Sequence, residues 1–287
     1  MNIEKWLKAN TIPLTGKTVA ITGSTGGLGQ ELCSYLSSLG ANLILLDRNP
    51  NKSLALQEKY AGINIKRIQV DLEEPESVKT ATKQLCALPV DVLILNAGAY
   101  SIPRHKCATG LDNVFQINFL SQYYIARELF PHLRKCGGKV VAVSSIALDY
   151  SRTDESDVDF SSRKKPSLAY GNAKRYLTFA LYGLTAGDNL SITHPGITFT
   201  NITAHYPKLI FSLIKHPMKI IFMRPKKAAL SIIKGIFQPC ESFEWIGPGI
   251  FNVWGLPKKQ PLKICKEEEY AEICKNADKL YCIMKQI

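Results

Sequence analysis

The stretch Lys17 to Gly29, KTVAITGSTGGLG, constrains this chain more than any other. A short apolar run, Val19-Ala20-Ile21, breaks into glycines and then into a helical repeat, with Leu28, Leu32, Leu36 and Leu39 three or four residues apart. That order predicts a buried strand, a tight turn and a helix whose N-terminus faces the turn. A helix end of this kind presents unpaired N–H groups and partial positive charge, which suits a diphosphate. Gly23, Gly27 and Gly29 would let the backbone turn sharply, approach a ligand and pack helix on strand. A strand–helix loop without a ligand can carry the same glycines, so the rest of the chain has to decide.

Further along, strand-like runs alternate with helical ones. Strands are expected at 41–46, 63–70, 91–95, 139–143 and 191–193, with helices between them, including one over about 110–133 and one over about 168–186. The alternation implies βαβ crossovers, and hence an α/β fold with a doubly wound parallel sheet of Rossmann type. Asp47, Asp71, Asn96, Ser145 and the Pro195-Gly196 turn all fall at carboxyl ends of these strands, where ligands bind in open α/β sheets. With no internal repeat or low-complexity segment, the 287 residues read as a single domain.

Composition excludes several classes. Hydrophobic content of 46% and charged content of 21% describe an ordinary globular protein, and no apolar run reaches the ~20 residues of a spanning helix. The first ten residues have no apolar core of a secretory signal, so the expected address is the cytoplasm. The eight cysteines include no C-x-x-C pair and read as reduced thiols, with no metal site expected. The net charge of +12 is spread along the chain without a basic, aromatic-interleaved stripe, so no nucleic-acid partner is expected.

The motifs Thr22-Gly23-Ser24-Thr25-Gly26-Gly27-Leu28-Gly29, Asp71, Asn96-Ala97-Gly98, Asn118, Ser145, Tyr170-Gly-Asn-Ala-Lys174 and Pro195-Gly196-Ile-Thr-Phe-Thr200 occur in that order. Over residues 15–202 the chain resembles the short-chain dehydrogenase/reductase family. Tyr170 and Lys174, four apart, share a helix face. A phenol of pKa ~10 is a poor base, and a neighbouring ammonium is expected to pull that value down. Tyr170 would then be the acid/base toward a carbonyl or alcohol oxygen, and Ser145, chosen over Ser144, would stabilise charge on that oxygen. The resemblance implies that Lys174 also holds the nicotinamide ribose and that Asn118 anchors a water chain to it.

The resemblance further places Ser24, Leu28, Asp71, Leu72, Asn96, Ala97, Gly98, Pro195, Gly196 and Thr200 against a nicotinamide dinucleotide. Asp47 can accept two hydrogen bonds from the adenine ribose and would repel a 2′-phosphate. Arg48, by contrast, stands where NADP-users place a phosphate-binding Arg. The residue before the second motif glycine, often basic in those relatives, is Gly26 here, and the expectation favours NAD over NADP. The 149–166 insert between Ser145 and Tyr170 is longer than in many members and is expected to be a solvated loop, as in the retinol-dehydrogenase-like branch. His194 is expected to be structural.

Residues 206–225, apolar with interspersed Lys and Arg, are expected to form a substrate lid, or alternatively a segment resting on an anionic membrane. Either suggests an apolar carbonyl or alcohol substrate. A last strand is expected within 249–263, where family members often dimerise, and a final helix over 267–284. The competing readings are a dinucleotide-sensing protein that has lost catalysis, and an epimerase or dehydratase of the extended branch. The first should have lost Tyr170, Lys174 or Ser145, and the second usually carries a different glycine spacing.

Overall fold

The computed structural model describes residues 2–187, 189–198, 223–238, 240–241 and 243–287. Thr200 and most of the expected lid, 206–222, lie outside the described residues.

A lead-in helix α1 (Ile3–Asn10) precedes the alternating series β1 (Thr18–Thr22), α2 (Gly27–Ser38), β2 (Asn42–Asp47), α3 (Pro50–Lys59), β3 (Ile65–Gln69), α4 (Pro75–Cys86) and β4 (Val92–Leu95). A short helix α5 (Asn113–Phe115) runs through a π-helical turn, Gln116–Leu120, into α6 (Ser121–Cys136). Then follow β5 (Lys139–Val143), a 3₁₀ turn (Ile146–Tyr150), α7 (Pro166–Thr185), β6 (Leu190–Thr193), α8 (Pro225–Phe237), β7 (Glu244–Ile250), β8 (Trp254–Pro261) and α9 (Glu267–Gln286). The strands form one sheet ordered β3-β2-β1-β4-β5-β6-β7-β8. Every pairing is parallel except β7 with β8.

Burial explains why the inner strands read as continuous apolar runs. All residues of β1, β4 and β6 are buried, as expected for a parallel sheet covered on both faces. One face packs under α4, α6, α7 and α9, with Phe115, Phe119, Tyr176 and Phe179 among its buried rings. The other packs under α1, α2 and α8 through Trp6, Leu32, Leu36, Ile232 and Ile233.

Three sequence expectations are corrected. The helix expected from about 110 begins at Asn113, because Asp112 caps it by accepting from the Val114 N–H at 3.0 Å. The single last strand is a hairpin. Phe251 and Asn252 have φ of +49° and +57°, and Val253 N–H bonds the Ile250 carbonyl at 3.0 Å, so the chain reverses where a strand was expected to start.

The 149–166 insert, expected to be a solvated loop, is exposed over 161–166 but docked at Ser151 and at Asp159–Phe160. Phe160 is 4% and Asp159 7% exposed. Arg104 donates to the Phe160 carbonyl at 2.7 Å and to Asp112 at 2.8 Å, and Asp159 accepts from the Asp112 N–H at 2.7 Å. Asn172 of α7 reaches the Val158 carbonyl at 2.9 Å. Of the charges that suggested solvation, Asp159 is used in internal contacts while Lys164 and Lys165 stay exposed, a division that composition does not reveal.

Candidate active site

The loop between β1 and α2 is built so tightly that its glycines are required. A Cβ on Gly29 would stand 2.3 Å from the Gly23 carbonyl oxygen, and Gly23 itself has φ of +68°. Gly26 caps α2 without any side-chain hydrogen bond, so the first N–H groups of this helix are left to the loop mouth. Those are the donors a diphosphate needs, and the loop fits a dinucleotide on that ground.

The neighbours of the loop hold its shape. Asn96, at the end of β4, donates to the Thr22 and Gly23 carbonyls, both at 3.0 Å, while its own Oδ1 is buried without a partner among the described residues. Thr22 Oγ1 accepts from the Asn96 and Ala97 N–H groups at 3.0 Å, and Gln122 donates to the Ala97 carbonyl at 2.8 Å. Asp47 is 4% exposed and accepts from the Ser24 hydroxyl and from both Thr25 N and Oγ1, each at 3.0 Å. Its carboxylate is thus turned into the loop. Arg48, next to it, has a side chain 70% exposed and lies 3.7 Å from Glu73. Asp71 accepts from the Glu73 N–H at 3.1 Å, and the adjacent Leu72 is buried, its carbonyl accepting from Ser121 at 2.6 Å.

Toward β5 and α7 a second cluster forms. Ser144 is buried and bonds Thr178 of α7 at 2.8 Å, whereas Ser145 is half-buried, its hydroxyl accepts from the Ala147 N–H at 3.2 Å, and it stands close enough to the Tyr170 phenol to pull its pKa down. Lys174, 1% exposed, donates to the Val143 carbonyl at 2.8 Å and lies 5.7 Å from the centre of the Tyr170 ring. Asn118 sits in the π-helical turn, donating to the Ala99 and Val114 carbonyls at 2.8 Å and accepting from Ala99 N–H at 3.2 Å. A Cβ on Gly98 would come within 2.9 Å of Asn118 Oδ1 and 3.7 Å of Lys174 Nζ. Asn118, Ser145, Tyr170, Lys174 and Asn96-Ala97-Gly98 therefore converge on one side of the sheet's carboxyl edge. π-Helical turns recur at functional sites because they re-aim a side chain without ending the helix.

The electrostatics correct one expectation. Burial pushes the Tyr170 phenol up to about 12, against the opposing pull of its bond to Ser145. The expected lowering by Lys174 does not occur, because burial brings that ammonium down to about 7 and leaves it partly neutral near pH 7.

Beyond this cluster, Pro195 and Gly196 follow β6, and a Cβ on Gly196 would meet the Val253 oxygen at 2.7 Å. His194 is structural in its contacts. It is 1% exposed, accepts from the Gly196 N–H at 3.3 Å and lies 4.2 Å from the Trp245 ring centre. Burial lowers its pKa to about 4, which keeps it neutral.

Two contributors escaped the sequence reading. Tyr100 meets Tyr170 edge-on at 5.3 Å, and only its position just past Asn96-Ala97-Gly98 could have flagged it. Arg175, adjacent to Lys174, makes a two-pronged pair with Glu269 of α9 at 2.6 and 2.7 Å and also donates to the Leu148 carbonyl at 3.3 Å. No local signal links residues 94 positions apart.

Residues 17–156 match the family model described as short chain dehydrogenase. The chain belongs to the short-chain dehydrogenase/reductase family. This short-chain dehydrogenase/reductase is 26% identical over 277 residues to an uncharacterized oxidoreductase of Schizosaccharomyces pombe, covering 88% of this chain and 81% of that one. It is 30% identical to the chloroplastic short-chain dehydrogenase TIC 32 A of Brassica napus over 66% of each chain, and 25% identical to a human polyprenol dehydrogenase over 67% of this chain and 64% of that one.

Among solved structures, an uncharacterized protein of Mycobacterium paratuberculosis superposes with a TM-score of 0.72 at 24% identity, covering 97% of this chain and 95% of the other. A short-chain dehydrogenase of Sphingobium yanoikuyae in complex with NADPH gives 0.59 at 20%, over 76% and 83%. These two likenesses show the fold. Family membership makes the chain an NAD(P)-dependent oxidoreductase.

Proposed function

We propose that the enzyme transfers a hydride between the nicotinamide and a carbonyl/alcohol pair on an apolar substrate, with Tyr170 exchanging the proton. The observation that carries this reading is the convergence of the Tyr170 and Ser145 hydroxyls beside Lys174. A bound dinucleotide supplies the hydride during reduction and accepts it during oxidation. Ser145 and Tyr170 would bond the reacting oxygen together, so that charge developing there meets two hydroxyl donors. A phenol held near 12 keeps its proton until the oxygen that gains charge on hydride transfer demands it, which suits a proton donor in carbonyl reduction. Lys174 would hold the ribose end of the nicotinamide, and Asn118 would anchor a water chain to it. The Tyr100 ring against Tyr170 gives the substrate side an apolar wall, and a polyprenol dehydrogenase stands among the relatives.

Asp47 and Gly26 led to the expectation of NAD, and two contacts support NADP as the alternative. Asp47 is engaged by Ser24 and Thr25, which leaves it to shape the loop, and exposed Arg48 stands at the same strand end for a 2′-phosphate.

Tyr170→Phe tests the chemistry. Turnover should fall by roughly 10²–10⁴-fold, while dinucleotide affinity, read by quenching of tryptophan emission, stays within about twofold. Parallel loss of both would make Tyr170 a structural residue.

A further inference from the structure

Two departures from local structural rules meet at one place on the surface. The turn between β7 and β8 places Phe251 at φ +49° with 87% of its surface exposed. Left-handed backbone disfavours a bulky residue and is ordinarily given to Gly or Asn. Phe251 gains no burial to offset it. Nearby, α8 begins Arg224-Pro225-Lys226-Lys227, with all three cations exposed and no acidic residue in its first turn. Positive charge at a helix N-terminus opposes the helix dipole.

The two features border a single groove. It has a volume of ≈ 390 Å³, with Ile3, Met223 and Trp254 among its lining residues, and its charged lining residues, Arg224, Lys226 and Lys227, are all basic. Ile250, 53% exposed, pairs with Trp254, 40% exposed, and continues the apolar surface to Phe251. Neither Asn189–Cys240 nor Trp245–Lys266 contains Asp or Glu, and the acid nearest the lining in sequence is Glu4, beside Ile3. The hairpin tip also lies at the catalytic edge of the sheet, because β7 runs parallel to β6. Its Asn252 stands 3.4 Å from His194, and its Val253 carbonyl closes over Gly196.

We propose that the β7–β8 hairpin tip and the basic start of α8 form a docking surface for an anionic lipid bilayer. Phe251, Ile250 and Trp254 enter the headgroup region while Arg224, Lys226 and Lys227 meet lipid phosphates and carboxylates. An anionic bilayer supplies apolar volume for the exposed Phe251 and Ile250 and negative charge for Arg224, Lys226 and Lys227. Docking in this way would hold the mouth of the site at the membrane surface, where apolar carbonyls and alcohols partition. The surface is separate from the proposed catalytic residues, so its test needs neither turnover nor dinucleotide.

The test is flotation of the full chain with phosphatidylcholine vesicles, with and without phosphatidylserine, at low and high salt. The protein should float with the anionic vesicles, weakly or not at all with the neutral ones, and less as salt rises. Tryptophan emission should shift to the blue on binding; it reports Trp254 because Trp6 and Trp245 are only 3% and 2% exposed. Phe251→Asn, which suits the turn, should lower the partition coefficient roughly tenfold. Lys226→Gln with Lys227→Gln should lower it by roughly tenfold or more. Both variants should melt within about 2 °C of the wild type, since neither side chain is packed in the core.

Failure of the wild type to float with anionic vesicles overturns the proposal. So does binding that is insensitive to both variants. A dimer in light scattering that Phe251→Asn dissociates, with no vesicle binding, would assign the surface to a second copy of the chain.

Discussion

The dinucleotide end and the substrate end of this molecule are built by different means. Around the Gly-rich loop, order comes from contacts among adjacent strand ends: Asn96 on Thr22 and Gly23, Asp47 on Ser24 and Thr25. Around Tyr170, order comes from segments far apart in the chain. Arg104 ties down the insert, Arg175 pairs with Glu269 of α9, and the hairpin closes over Gly196. The first kind of order depends on backbone geometry and tolerates no added atoms. The second depends on charged side chains desolvated by tertiary packing, and it can be loosened while the sheet persists.

Five substitutions would break or sharpen that contrast. Gly29→Ala should do the most damage at the dinucleotide end, since its Cβ would stand 2.3 Å from a carbonyl and 2.7 Å from the Ser24 backbone. A loss on the order of 3–5 kcal/mol in denaturant unfolding, with dinucleotide binding abolished, is expected from displacement of fixed backbone. Binding that survived intact would mean that the loop is more pliant than its contacts imply.

At the substrate end, Glu269→Ala leaves Arg175 buried and unpaired, which typically costs about 3 kcal/mol. Turnover should fall while dinucleotide affinity remains within about threefold, because α9 touches the Tyr170 helix and not the Gly-rich loop. Equal loss of both would mean that the two ends are not independent.

Lys174→Met separates stability from function. The native pKa of about 7 lies below the ordinary lysine value of 10.5, so between those values the unfolded chain binds a proton that the native state lacks. Native stability in the wild type therefore rises with pH through that window. The variant should be more stable by something on the order of 1–3 kcal/mol at pH 7, with the difference closing toward pH 10 and turnover lost throughout. A difference independent of pH would mean that Lys174 keeps its charge in the folded protein.

The smallest effect is expected from Arg48→Ala, an exposed residue. NADPH affinity should fall roughly tenfold while NADH affinity is unchanged. The paired variant Asp47→Asn should weaken both dinucleotides together if its carboxylate shapes the loop, and NADH selectively if it binds the adenine ribose.

Legibility from sequence followed the same division. Strand order, the Gly-rich turn and the positions of Asp47, Asn96, Ser145, Tyr170 and Lys174 at one edge could be read because each rests on local periodicity or on a residue's place at a strand end. The choice of Ser145 over Ser144 came from resemblance alone, and the physical reason, Ser144 turned into Thr178, needed the packing of α7 on β5. The hairpin was hidden because Ile250-Phe251-Asn252-Val253 looks like strand by composition. The docked middle of the insert was hidden because the Phe160 carbonyl pairs with Arg104 and Asp159 with the Asp112 backbone, both far away in sequence.

By itself the sequence determined the α/β class, the loop for a diphosphate and the family of chemistry, since these follow from backbone conformation and the i, i+4 spacing of two side chains. Only the tertiary structure decided the charge state of that chemistry. A pKa is set by what surrounds a group, and burial raises the Tyr170 phenol and lowers the Lys174 ammonium against the expectation drawn from their spacing alone.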